Sequence, residues 1–400
     1  MNSTAFIHIE ETYGAHNYHP LDVVIARGKG IWLYDVDGKK YIDFLSAYSA
    51  LNQGHCHPRL IKAAKRQMKR VTLTSRAFRN DQLPLLCQEL CALTGFDRVL
   101  PMNSGAEAVE TAIKAARKWG YTVKGVAADR AEIIVAAGNF HGRTTTIVSF
   151  STEHKYKEGF GPLTPGLVVV TYGDAEALQQ AVTPYTVAVL IEPIQGEGGI
   201  IVPPPGYLEA IQKVCADNRV LFIVDEIQTG LGRCGKLFAY QYENVSPDGV
   251  IIGKALSGGF YPVSAFLAKS EVMEVFKPGE HGSTFGGNPL GCAIAREALN
   301  ILIDEKLAQR SFELGEYFRA QLRSIDRKNI KEVRGKGLLI GVELKPEAGG
   351  ARRFCEALLR EGLLCKETHE TIIRFAPPLV IKKKELDWAL AKIKKVLENL

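Results

Sequence analysis

Short unbroken apolar runs recur through the middle of the chain, at Ile133 to Ala136, Val187 to Ile191, Leu221 to Val224 and Val250 to Ile252. Runs of this length without polar alternation read as strands buried on both faces. Helix signals fall between and around them. Asn103 or Ser104 can cap a helix running to about Trp119, with Gly120 as its stop, and another helix follows Pro205 and Gly206. The alternation predicts an α/β fold with a mostly parallel sheet covered by helices. Near the start, Asp37-Gly38 separates Ile31 to Val36 from Lys40 to Phe44, the pattern of a β-hairpin. Beyond Asn288 the pattern changes to a long helical stretch, Leu290 to Leu307, then short strands and an amphipathic end from Lys384 to Leu400. The expected organisation is an arm and hairpin over 1–48 associated with a smaller C-terminal α+β domain over 291–400, and a large domain over 49–290.

Composition narrows the function classes. With 400 residues and 46% apolar content the chain can bury a large core. A net charge of +6 is small for this length, and no basic cluster alternates with aromatics, so a nucleic-acid partner is not expected. No apolar run approaches the ~20 residues of a membrane span. The beginning, MNSTAFIHIEE, lacks the marks of a signal or transit peptide, which makes a cytoplasmic protein the expectation. The eight cysteines contain no C-x-x-C pair, so they read as reduced thiols. His55, Cys56 and His57 are consecutive and point apart, which argues against a shared metal.

The candidate chemistry lies at strand ends. Asp225 and Lys254 each follow an apolar run at its carboxyl end, where open α/β sheets bind ligands. Lys254 stands among Gly253, Ala255, Ser257, Gly258 and Gly259. A desolvated lysine there becomes a nucleophile toward carbonyls. The cofactor suited to such a pair is pyridoxal phosphate, whose aldehyde takes the amine and whose ring nitrogen takes the carboxylate. Ser104, Gly105 and Ala106 open a helix with a hydroxyl and two small residues, either a phosphate site or an ordinary cap. GNFHGRT holds Phe140, His141 and Arg143, and its arginine is a carboxylate clamp or a solvated side chain. IEPIQGEGG carries Glu192 and Glu197. Arg374 lies inside an apolar run, so its charge requires a partner or a ligand. Gly230, Gly232 and Gly235 spell a dinucleotide fingerprint, but no helix pattern follows, which argues against a nicotinamide enzyme.

The stretches GAHNYHPL, NQGHCHP, LTSRAF, NSGAEA, AGNFHGRT, EPIQGEGG, DEIQTGLGR, GKALSGG, GEHGSTFGGNPLGC and IIRFAPPL, spread nearly end to end, resemble the class III aminotransferases among the fold type I pyridoxal-phosphate enzymes. The resemblance implies Lys254 as the lysine that binds the cofactor and Asp225 on its ring nitrogen. It further implies Gln228 near the ring hydroxyl, Phe140 on the ring face with His141 beside it where animal members carry tryptophan, and Ser104, Gly105 and Ala106 on the phosphate. Ser283 and Thr284 would reach the phosphate of a neighbouring subunit, so a homodimer or higher homo-oligomer is expected. Tyr18, Tyr48, Arg143, Glu197 and Arg374 are implied for substrate. The implied reaction moves the δ-amine of ornithine to 2-oxoglutarate, with acetylornithine or 4-aminobutyrate as alternative donors. An aminomutase on the same fold would show no net amine transfer to an added oxo acid, and a non-catalytic cofactor binder would leave Lys254, Asp225 and Arg143 idle.

Overall fold

The structure, a computed structural model, describes residues 1–400. Its strands are β1 (Ile25–Lys29), β2 (Trp32–Asp35), β3 (Lys40–Asp43), β4 (Arg98–Met102), β5 (Glu132–Ala136), β6 (Leu167–Val170), β7 (Thr186–Ile191) and β8 (Leu221–Asp225). They continue as β9 (Gly249–Ile252), β10 (Ser264–Ala268), β11 (Ile330–Lys336), β12 (Leu339–Leu344), β13 (Leu363–Leu364), β14 (Lys366–Thr368) and β15 (Ile372–Phe375). The central sheet has seven strands in the order β4-β10-β9-β8-β7-β5-β6. β5 to β9 run parallel, as the uninterrupted apolar runs of β5, β7, β8 and β9 predict, and every residue of β7, β8 and β9 is buried. β10 is antiparallel to both of its neighbours.

The two faces of this sheet bury separate cores. One face packs Val189, Phe222, Val224 and Val250 against helices that include Pro289–Asp304. The other packs Leu221, Ile223 and Ile251 against Ala108, Ala112 and Ala116 of the helix Gly105–Trp119. Alternate residues of one strand therefore serve opposite cores, the period-two rule applied to a two-sided strand.

Gly120 does not stop this helix. It keeps helical dihedrals (φ −55, ψ −45), and the chain continues as a π-turn to Lys124 before Gly125 turns left-handed at φ 84. Its small size serves a different purpose: a Cβ at Gly120 would lie 2.2 Å from Cγ1 of Val187. The helical stretch read from Leu290 to Leu307 is likewise shorter, Pro289–Asp304, because Lys306 adopts φ 50 and starts a second helix at Leu307. The Asp37-Gly38 hairpin forms as expected between β2 and β3. β3 then pairs in parallel with β13, so the N-terminal hairpin joins a C-terminal strand. A third sheet, β11-β12-β15-β14, carries Arg374 on β15. No helix is long and apolar enough to cross a membrane.

Candidate active site

β8 and β9 end side by side, which brings Asp225 and the turn at Lys254 to the same edge of the sheet. A cavity of about 180 Å³ there is lined by Lys254, Asp225, Gln228, Phe140, His141, Gly105, Ala106 and Glu197. A second cavity of about 290 Å³ adjoins it at Gly105 and Lys254 and includes Ser104. The dinucleotide-like glycines 230, 232 and 235 lie in turns after β8, with no helix opening on them.

Asp225 is 4% exposed and accepts a hydrogen bond from Nδ1 of His141 at 2.6 Å. Burial would push the His141 imidazole down, but the adjacent carboxylate overrides it and raises its proton affinity. His141 Nε2 is buried without a partner. Burial lowers the pKa of Lys254, against the pull of Glu197 and Asp225, so a larger fraction of the amine is uncharged and nucleophilic than for an exposed lysine. Lys254 also sits at φ 42, a left-handed conformation held by its surroundings.

Ser104 caps the helix Gly105–Trp119 in a capping box with Glu107. The box satisfies the Ser104 and Glu107 amides and leaves those of Gly105 and Ala106 open toward the cavities. These amides suit a phosphate. Gln228 donates to Glu197 Oε1 at 3.0 Å while its own Oε1 has no partner. Its side chain lies so close over Gly196 that a Cβ there would be 1.5 Å from Oε1. The residues thus fit pyridoxal phosphate: an anion cradle, a buried carboxylate for a cationic ring nitrogen, an amine for an aldehyde, and an unpartnered polar atom at Gln228.

Glu197 and Arg374 form an ion pair. Arg374 is 1% exposed, and its other face lies 4.8 Å from the ring centroid of Tyr48. Burial alone would raise the Glu197 carboxyl, but Arg374, followed by Lys254, pulls it down to about 2. The backbone around Glu197 is fixed by the Thr368 hydroxyl, which donates to the Glu197 carbonyl at 2.6 Å, and by Arg334 on the Gly199 carbonyl. Tyr48 belongs to a left-handed turn in which Ser46, Ala47, Tyr48 and Ser49 all have positive φ. Asp43 holds that turn through the amides of Leu45 and Ser46, and its second oxygen bonds His55.

Arg143 is exposed and pairs with no carboxylate. Tyr156 lies beneath it at 4.4 Å, and Phe140 and Tyr18 flank it at 5.8 and 5.9 Å. Ser283 bonds to Asn103, next to the phosphate cradle, while neither Ser283 nor Thr284 lines the cavities of its own chain.

Glu192 is a site residue to which sequence reasoning gave no role. It is 6% exposed at the end of β7, and its two oxygens accept from the amides of Phe140 and Gly196, joining the loops on either side of the cavity. Burial raises it to about 7, against His141. Its signal was an acid placed directly after a fully buried strand, the same signal that marked Asp225.

Against known proteins, residues 13–397 match the family described as Aminotransferase class-III. A curated ornithine aminotransferase of Geobacillus sp. (strain WCH70) is 59% identical over 398 residues, covering 100% of this chain and 99% of its own. An ornithine aminotransferase of Toxoplasma gondii, solved with PLP at partial occupancy in its active site, is 47% identical with a TM-score of 0.97, covering 99% of this chain and 94% of its own. An acetylornithine aminotransferase of Elizabethkingia anophelis is 48% identical with a TM-score of 0.91, each chain covered in full. A family match that takes in the strand-end lysine, the paired carboxylate and both arginines places this chain among the class III aminotransferases.

Proposed function

We propose that this protein moves the δ-amine of L-ornithine to 2-oxoglutarate with pyridoxal phosphate as cofactor, giving glutamate 5-semialdehyde, which cyclises, and glutamate. The observation that carries the reading is the pair of arginines. Arg143 is free of any carboxylate, while the buried Arg374 is neutralised by Glu197. An amine donor that reacts at a terminal carbon brings one carboxylate, at its far end. Glutamate brings a second, beside the reacting carbon. A site serving both needs one open cation and one that can be covered or uncovered.

Pyridoxal phosphate, when bound, supplies an aldehyde to receive the amine and a ring that withdraws electrons from the reacting carbon. The amides of Gly105 and Ala106 with Ser104 would hold its phosphate, Asp225 its ring nitrogen, Gln228 its ring hydroxyl and Phe140 its face. His141 keeps Asp225 oriented through the 2.6 Å bond. Lys254 Nζ would take the proton from the substrate carbon and deliver it to the carbon that carried the aldehyde, so that the nitrogen stays behind, a task suited to an amine whose pKa burial has lowered. Arg143 binds the distal carboxylate in both half-reactions, with Tyr18 beside it for the donor head group. Glu197 covers Arg374 while ornithine reacts and releases it to the carboxylate next to the reacting carbon of glutamate.

Ser283 and Thr284 would serve the phosphate of a partner subunit, which makes the working unit a homodimer or a higher homo-oligomer. Phe260, 39% exposed on the open wall beside Ser104, would be covered in it. The proposed division keeps 49–290 as the cofactor-binding domain and joins 1–48 to 291–400, as the β3–β13 pairing supports. Eight free cysteines suit a reducing cytoplasm.

The test is a steady-state comparison of the purified protein with ornithine, acetylornithine and 4-aminobutyrate against 2-oxoglutarate. Ornithine should give the highest kcat/KM and a product that reacts as pyrroline-5-carboxylate. A higher value for acetylornithine would overturn the donor assignment.

A further inference from the structure

A larger cavity, about 520 Å³, lies away from the candidate active site, where four chain segments meet. These are the end of β1, the loop 53–58, the junction between the helices Pro289–Asp304 and Leu307–Arg323, and the segment before the helix Lys383–Asn399. Lys29, Arg310 and Lys382 line it, and none of the three is among the residues that form the chain's 24 ion pairs. The guanidinium of Arg310 is held by Nε and Nη2 on the carbonyls of Leu379, Val380 and Ile381, at 3.4, 3.3 and 2.8 Å. That anchoring leaves Nη1 without a partner and already oriented.

One acidic residue stands on the cavity wall against the three cations. Glu305, on the cavity wall, accepts from His57 at 3.1 Å, and Glu385 accepts from the Lys382 amide at 2.8 Å. His55 is bound to Asp43. Two buried wall atoms, Gln53 Oε1 and His57 Nδ1, have no partner in the chain. Three like charges held around one concavity repel one another. An anion with several charged oxygens would turn that repulsion into attraction and tie the hairpin to the C-terminal segments.

We propose that this cavity binds a compact polyanion, with Lys29, Arg310 and Lys382 as its ligands. The chemistry is shared by phosphate-bearing molecules and polycarboxylates. One wall residue, Gln53, packs against the end of the turn that carries Lys254: a Cβ at Gly258 would lie 3.0 Å from Gln53 Oε1. A bound anion is therefore expected to raise Tm by bridging segments that otherwise separate on unfolding.

The test uses the cofactor-loaded protein, in which the phosphate cradle is filled, with calorimetric titration of inorganic pyrophosphate and separately of citrate at matched ionic strength. At least one probe should bind saturably, one per chain, with Kd below about 1 mM. The Lys29→Gln/Lys382→Gln double variant should bind that probe about tenfold or more weakly, while the surface control Lys213→Gln/Lys394→Gln should match wild type. Pyrophosphate binding alone would identify a phosphate-bearing ligand, and citrate binding alone a polycarboxylate. Absence of saturable binding of both probes up to about 10 mM, or equal affinity in the Lys29→Gln/Lys382→Gln variant, would overturn the proposal.

Discussion

Replacing Glu197 by alanine separates the two half-reactions. In the free protein Arg374 is 1% exposed and spends its charge on Glu197. The lowering of the Glu197 carboxyl from 4.5 to about 2 corresponds to ~3 kcal/mol in favour of its charged form, set mainly by Arg374 once burial has been overcome. A glutamate carboxylate that takes Arg374 must displace this partner, so removing it should raise kcat/KM for glutamate by up to about a hundredfold. Ornithine suffers the opposite effect. With Arg374 uncovered, its carboxylate has a second cation to bind, at the wrong end of the site, and kcat/KM should fall about ten- to a hundredfold. The two half-reactions are read separately by stopped-flow absorbance of the loaded cofactor, with each amino acid as sole substrate. Equal factors for glutamate and ornithine would refute the gate. Glu197→Gln supplies the pH control. Because the carboxyl is lowered on folding, its contribution is fully present above about pH 5 and is lost as pH falls toward 2. The Tm difference between wild type and Glu197→Gln should therefore be large at neutral pH and shrink toward about pH 3.

Asp225→Asn removes the charge that His141 supports and should slow single-turnover proton abstraction by about a hundredfold, with cofactor still bound by absorbance; an unchanged rate would count against the role. Tyr18 flanks Arg143 at 5.9 Å, and a hydrogen bond that its phenol oxygen accepts from the α-ammonium of ornithine contributes ~1.5 to 3 kcal/mol. Tyr18→Ile should thus cut the preference for ornithine over acetylornithine about tenfold or more in kcat/KM, whereas an untouched ratio would make Tyr18 a packing residue. Gly120→Ala puts a methyl 2.2 Å from Val187 and should cost about 1 to 3 kcal/mol in denaturant unfolding; a variant as stable as wild type would show that the two elements can part at no cost.

The sequence by itself determined what is local. A strand buried on both faces must be continuously apolar, so β5, β7, β8 and β9 were legible, and with them the ionisable residues at the ends of β8 and β9. A capped helix opening with Gly105 and Ala106 was legible for the same reason, since caps and free amides depend only on neighbours in the chain. The resemblance then assigned roles to positions without saying what each side chain touches. Tertiary structure decided the pairings. His141 meets Asp225 across 84 residues, and Glu197 meets Arg374 across 177, because sheet order brings loop ends together. The antiparallel course of β10 and the close approach of Gly120 to Val187 were also invisible, as both depend on which element packs alongside. Local periodicity records whether a residue is buried. Which residue buries it is fixed only when the layers close, and there a buried charge such as Arg374 is stable solely because a distant carboxylate arrives beside it.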